Sequence, residues 1–230
     1  MTKHLNKLFW LHIKKSAGQS TRHLLQPHYV LTDRSLKPKN FIQADYTEWN
    51  DILNNYRVVL GEYQRKRCLF AKLFLYPNNW DTFESFAFSR EPISRALSMF
   101  YYLFWRRPLS FPLRTIQYAK VSYNQKKLIT NEAYAFDVFL DQVLLTQKTD
   151  SNFYPGGLHF ITHTATMFDD ITDDRGTVLL KKIYRLENLQ KGINEVFEAC
   201  GICKRIKDNP TPKNVNQIRG KLAPTKKQIK

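Results

Sequence analysis

The run His12-Ile13-Lys14-Lys15-Ser16-Ala17-Gly18-Gln19-Ser20 gathers two adjacent lysines, two serines and a glycine directly behind a short apolar stretch. These residue types at this spacing suit the holding of an anion. Gly18 lets the backbone approach a ligand closely, Ser16 and Ser20 offer hydroxyl donors, and Lys15 supplies a full positive charge. If the run joins a strand to a helix, its successive N–H groups point outward together and the helix dipole adds partial positive charge. A second candidate group is Phe88-Ser89-Arg90-Glu91-Pro92-Ile93-Ser94-Arg95-Ala96-Leu97-Ser98. There, Arg90 offers a guanidinium fork and Ser98 a hydroxyl from the second turn of a helix, with Arg95 three positions earlier on the same side.

The elements that must carry these groups are legible as patterns. "KLFWLHI" is a compact apolar run, rich in aromatic and β-branched residues, and reads as a buried strand ending near His12 or Ile13; the helix behind it turns Leu24 and Leu25 inward. "YRVVLGEY" and "TFESFAFSR" read as two further strands that stop at polar residues, Glu62 in one and Ser89 and Arg90 in the other. Open α/β sheets collect their ligands at such strand ends. After Pro92, suited to a first helical turn, Ile93, Leu97, Phe100, Tyr101 and Phe104 predict one helix face. "AYAFDVFLDQVLL" predicts a helix through Phe136, Phe139, Leu140, Val143 and Leu144. "LKKIYRLENLQKGINEVFEACGI" predicts a short strand, a turn and a helix with the stripe Leu189, Ile193, Val196, Phe197 and Cys200. Residues 106 to 131 and 146 to 176 read as loops with short helices.

Composition bounds the function. A chain of 230 residues is long enough for one domain with a full core. Its formal charge is +16, with no Asp or Glu before Asp33 or between Glu91 and Glu132. Such a field concentrates anions of every kind, including nucleic acid, anionic lipid, anionic glycan and polyanionic cofactor. Cys68, Cys200 and Cys203 are too few and too unevenly placed for a disulfide framework, which favours a reducing compartment. "CGIC" has redox spacing but closes a predicted helix instead of opening one, so the pair reads as helix-end residues. No signal peptide is visible, and "ALSMFYYLFW" is far shorter than the roughly 20 residues that cross a bilayer. The expectation is a cytoplasmic chain without a transmembrane segment, with peripheral membrane contact and oligomeric state left open.

Three functions compete for the turn. A nucleotide-phosphate loop of the pattern G-x-x-x-x-G-K-[ST] sets Lys directly after Gly, whereas Lys15 precedes Ser16 and Gly18 here and no leading Gly is present. That order counts against a nucleotide kinase. A basic nucleic-acid-binding protein would account for the charge and the aromatics, but no zinc module or RNP-type pattern accompanies them. The residues resemble instead the PAPS-dependent sulfotransferases, in particular the branch related to carbohydrate sulfotransferases. Their 5′-phosphosulfate loop commonly reads H-[IV]-P-K-[ST]-G-G-[TS]-[ST], and residues 12 to 20 are similar to it, with Lys14 in place of Pro and Ala17 in place of the first Gly. Their 3′-phosphate motif, roughly F-x-R-[DE]-P-x-x-R-x-x-S, resembles residues 88 to 98 at every specified position. "YRLENL" and "LHFITHTATMF" are similar to a family segment ending in E-N-L and to the His-containing loop before it.

This resemblance implies an α/β fold, P-loop-like and three-layered, with a central, mostly parallel sheet flanked by helices. It implies a single sulfotransferase domain over residues 1–230, with a basic C-terminal segment at 204–230. The activity implied is transfer of a sulfuryl group from PAPS to a hydroxyl on a carbohydrate or glycoconjugate, leaving 3′,5′-ADP. Lys14, Lys15, Ser16, Ala17, Gly18, Gln19 and Ser20 would hold the 5′ end, Arg90 and Ser98 the 3′-phosphate, and Arg219 and Lys221 would close over the cofactor. Lys15 would also neutralise charge on the leaving oxygen. Glu62 is the first candidate for the base that takes the acceptor proton, with His159 and His163 behind it. An aromatic and basic cluster of Tyr101, Tyr102, Trp105, Arg106 and Arg107 would suit an anionic or sugar acceptor. The reaction needs no metal, and no metal-ligand spacing suggests one.

Overall fold

The apolar run at residues 8–11 forms the strand its composition requires, and the parallel sheet grows from it. The computed structural model describes residues 7–33, 40–55, 57–105, 131–141 and 157–207. Strands β1 (Leu8–Leu11), β2 (Glu84–Ser89) and β3 (Lys182–Arg185) pair in parallel in that order. Trp10 stands opposite Phe86, and Phe88 opposite Tyr184. The helices that concern the site are α1 (Gly18–Leu25), α2 (Trp49–Leu53), α3 (Arg67–Phe70), α4 (Pro92–Phe100), α5 (Glu132–Phe139), α6 (Gly157–Thr164), α7 (Met167–Ile171) and α8 (Leu189–Ala199). By internal packing the chain divides into two compact units, Met1–Arg90 with Ala165–Asn214, and Glu91–Thr164 with Val215–Lys230.

The first unit holds the sheet. Alternation along β1 and β2 sends Phe9, Leu11 and Ala87 into one core with Ile52 and Leu53 of α2, Cys68 of α3, Trp80 and Ile171 of α7. It sends Leu8, Trp10, Phe86 and Phe88 into a second core with Leu25 of α1 and Leu189, Ile193, Val196 and Phe197 of α8. A parallel sheet needs cover on both faces, and these two cores supply it, which makes the unit a three-layer α/β structure. The stripe expected on α8 is buried at every position, including Cys200 beyond its end. All three cysteines are free; Cys68 and Cys200 are buried and Cys203 is exposed. Burial, with a smaller contribution from the Glu84 carboxylate, pushes the Cys200 thiol up to about 11. It is a packing residue, as a helix-end reading requires.

One expected strand does not form. Residues 57–60 of "YRVVLGEY" are irregular, and Gly61–Arg65 is a single 3₁₀ turn entered through Gly61 at φ 58°. Val58 and Leu60 still reach the core while Val59 is exposed, so the alternation is real, but the strand edge it would join is occupied. Two side chains of the α2 segment do the pairing instead. Asn50 accepts from the Trp10 N–H at 2.9 Å and donates to the Trp10 carbonyl at 3.0 Å. Asn54 donates to the same carbonyl at 2.7 Å and accepts from the His12 N–H at 2.7 Å. A primary amide has both the donor and the acceptor that a neighbouring strand would offer.

The described residues of the second unit are mostly helical. Pro92 opens α4, and the Glu91 carboxylate caps it by accepting from the N–H groups of Ile93 and Ser94 at 2.9 and 2.6 Å. The buried face is Ala96, Met99, Phe100, Tyr101 and Leu103, packed with Ala135, Phe136 and Phe139 of α5. The face differs from the predicted one, since Ile93 and Leu97 are only half-buried. Arg95 is buried in their place and donates to the His163 carbonyl at 3.3 Å. Val143 and Leu144 lie outside the described residues. No helix among the described residues is long and apolar enough to cross a membrane.

Candidate active site

The turn between β1 and α1 is tight and conformationally costly. The Ser16 N–H donates to the Ile13 carbonyl at 3.3 Å, and the Thr21 N–H to the Ala17 carbonyl at 2.9 Å. Between them Lys15 at φ 69° and Ala17 at φ 54° both adopt the left-handed region. Each such non-glycine residue costs on the order of 1 kcal/mol and persists only where the surroundings hold it. Ala17 is the N-cap of α1 and contributes no side-chain cap, so the N–H groups of the first turn are left for another acceptor.

Gly18 is required by space. A Cβ at this position would lie 1.6 Å from Nε2 of His12, whose ring stacks on Trp10 at 5.2 Å. The ring is held from its other side as well, with Nδ1 3.3 Å from the Lys14 ammonium. Lys14 itself is buried and donates to the Asn54 carbonyl. Its ammonium thus braces the turn against the α2 segment.

The structure brings Arg90 to this turn. At the end of β2 its Nη1 donates to the Lys15 carbonyl at 3.2 Å, which supports the left-handed conformation there. Buried polar atoms almost always find partners, yet Ser16 Oγ and Thr21 Oγ1 are buried with none. Two buried hydroxyls without partners, Ser16 in the strand-to-helix turn and Thr21 in the first half of α1, together with uncapped N–H groups and two basic side chains at the turn, fit an anion with several oxygens. They fit the phosphate end of a nucleotide on that ground.

The remaining candidates lie on other elements. Glu62 is exposed on the 3₁₀ turn Gly61–Arg65 and not at a strand end. Ser98 is half-buried on α4 in the second unit. His159 is carried on α6. His163, near the end of α6, is buried and stacks on Tyr102 at 5.2 Å. Tyr101 is a core residue whose hydroxyl donates to Glu132. Arg106, Arg107, Arg219, Lys221 and the segment 208–230 lie outside the described residues.

Sequence reasoning passed over Arg67. Fully buried at the start of α3, it donates from Nη2 to the His12 carbonyl at 2.9 Å and pairs with Asp170 of α7. A basic residue inside "YQRKRCLF" gave no sign of burial, and its partner lies 103 positions away. Asn50 and Asn54 were passed over for the same reason, being 40 and 44 positions from Trp10.

A model of a protein family described as the sulfotransferase family matches residues 1–228. No curated protein and no solved structure matches the chain.

Proposed function

Because the chain belongs to the sulfotransferase family and is therefore a transferase of sulfuryl groups, we propose that its donor is PAPS and its acceptor a hydroxyl on a carbohydrate or glycoconjugate. The observation that carries the donor is the β1–α1 turn, where the Ser16 hydroxyl next to Lys15 is buried and unsatisfied, as is that of Thr21 in the first half of α1. PAPS, when bound, supplies a sulfuryl group on a bisphosphate that leaves readily. Ser16, Gly18, Gln19 and Ser20 hold the 5′ end through N–H and hydroxyl donors, with Ala17 shaping the turn and Lys14 bracing it. Lys15 neutralises the charge that grows on the bridging oxygen as its bond to sulfur breaks. Arg90 and Ser98 take the 3′-phosphate, on the strength of the motif they share, and Arg219 and Lys221 cover the nucleotide. A match that runs through both units supports reading them as one catalytic domain.

The test is thermal. Saturating 3′,5′-ADP at 100 times its dissociation constant adds about 2.7 kcal/mol, which for a chain of this size is about 5–10 °C in Tm. ATP with Mg²⁺ should add far less. In Arg90→Ala the shift with 3′,5′-ADP should collapse toward that with 5′-AMP, since only the former carries the 3′-phosphate. A larger shift with ATP and Mg²⁺, or none with 3′,5′-ADP, would count against this donor. Equal losses for the two nucleotides would assign Arg90 another role.

Glu62 takes the acceptor proton in this reading. Exposed on a short turn, it is open to an incoming substrate, and Glu62→Gln keeps its size while removing its basicity. kcat should fall by roughly 10²- to 10⁴-fold with 3′,5′-ADP affinity unchanged. An active Glu62→Gln beside a dead His159→Ala or His163→Ala would move the base to α6.

A further inference from the structure

We infer that Arg67 is a positioning residue for the anion-binding turn, holding the His12 carbonyl so that the residues after it keep their ligand-ready geometry; the inference rests on the turn being the phosphate site proposed above. Arg67 is 1% exposed and Asp170 2%, an arrangement that charged residues tolerate only when paired. The pair is bidentate. Nε donates to one Asp170 oxygen at 2.9 Å and Nη2 to the other, while the Arg67 backbone N–H approaches the first at 3.4 Å. Nη2 also donates to the His12 carbonyl at 2.9 Å. One guanidinium therefore joins α3, α7 and the exit of β1, at the residue whose ring covers Gly18.

A buried ion pair is a poor way to gain stability, because desolvating two charges cancels most of their attraction, and apolar residues of the same volume often serve better. What the pair supplies here is direction. The planar fork addresses a carboxylate and a carbonyl together, which the single ammonium of lysine does not do in fixed geometry. Nη1 remains buried without a partner, so the side chain is not placed to satisfy all its donors; it is placed to reach Asp170 and His12. With Asp170 neutralising it, Arg67 acts through the shape of the turn and adds little long-range field. That separates it from Lys15 and Arg90, whose charges address the ligand and whose contributions salt screens.

The experiment uses the full chain, with 3′,5′-ADP and inorganic pyrophosphate as probes, and compares Arg67→Lys and the double variant Arg67→Met/Asp170→Leu with wild type. Both variants should bind each probe at least about tenfold more weakly, since displacing a site by about 1 Å is enough for such losses. The double variant should nevertheless match wild type in urea unfolding, and the dependence of affinity on salt should keep its wild-type slope in both. Wild-type affinity in either variant overturns the inference, as does a salt slope that flattens, which would mean direct contact with the anion. Wild type needs no variant to fold, and its Arg67 Nε–H resonance should shift when either probe is added; an unmoved resonance also overturns it. If wild type binds pyrophosphate but not 3′,5′-ADP, the PAPS reading fails while the comparison with pyrophosphate still decides the role of Arg67. Binding of neither probe removes both.

Discussion

Lys15→Ala should lower kcat by about 10²- to 10³-fold and weaken 3′,5′-ADP by less than about tenfold, because the residue's work falls in the transition state. In the proposed reaction the product has already lost the group whose departure the ammonium would assist. The Arg90 guanidinium donates to the Lys15 backbone carbonyl, which alanine retains, so the turn should survive the substitution. Single-turnover rates and equilibrium binding measured on the same preparation separate the two effects. Turnover at the wild-type rate would take Lys15 out of the chemistry, and a parallel fall in both quantities would make it a binding residue only.

Among the described glycines, Gly18→Ala should be the most damaging added methyl. The added Cβ would lie 1.6 Å from the His12 ring, and that ring cannot swing aside without leaving Trp10 and the Lys14 ammonium. Overpacking of this kind costs about 1–3 kcal/mol, and 3′,5′-ADP affinity should fall at least about tenfold through displacement of the turn. The double variant His12→Ala/Gly18→Ala removes the obstacle and should recover part of both losses. Urea unfolding and 3′,5′-ADP binding across the two single variants and the double form a cycle. A double variant no better than Gly18→Ala alone would show that the ring is not what excludes a side chain there.

What was legible in the sequence was what depends on neighbours along the chain. The stripe Leu189, Ile193, Val196 and Phe197 is a 3.6-residue repeat and is buried throughout. Pro92 announced the start of α4 by its own chemistry, and the cap that Glu91 adds there appears only in the fold. Residues 12 to 20 stand out by type and order as a strand-to-helix turn, and Arg90 meets that turn in the fold. The rest depends on partners far apart in sequence. Val58 and Leu60 alternate as a strand should, but the edge of β1 belongs to Asn50 and Asn54. Gly18 reads as a residue that lets the backbone approach a ligand, and only the folded position of His12 shows that its missing side chain also makes room for that ring. Arg67 reads as one more surface cation until Asp170 is brought beside it.

Sealing β1 with two amides has a consequence for solubility. A four-residue apolar strand with unpaired N–H and C=O groups along one edge is a template on which another chain can add a strand and begin to aggregate. Proteins usually guard such an edge with a charge, a proline or a bulge, and "LFWL" contains none of these. Here the guard comes from outside the strand, and it depends on amide chemistry. Conversion of Asn54 to aspartate, a common form of chemical ageing in asparagine, would set a carboxylate against the Trp10 carbonyl where an N–H now donates at 2.7 Å. The edge would then open without any break in the sheet, and the shelf life of the folded chain would be tied to two amide side chains outside the strand they guard.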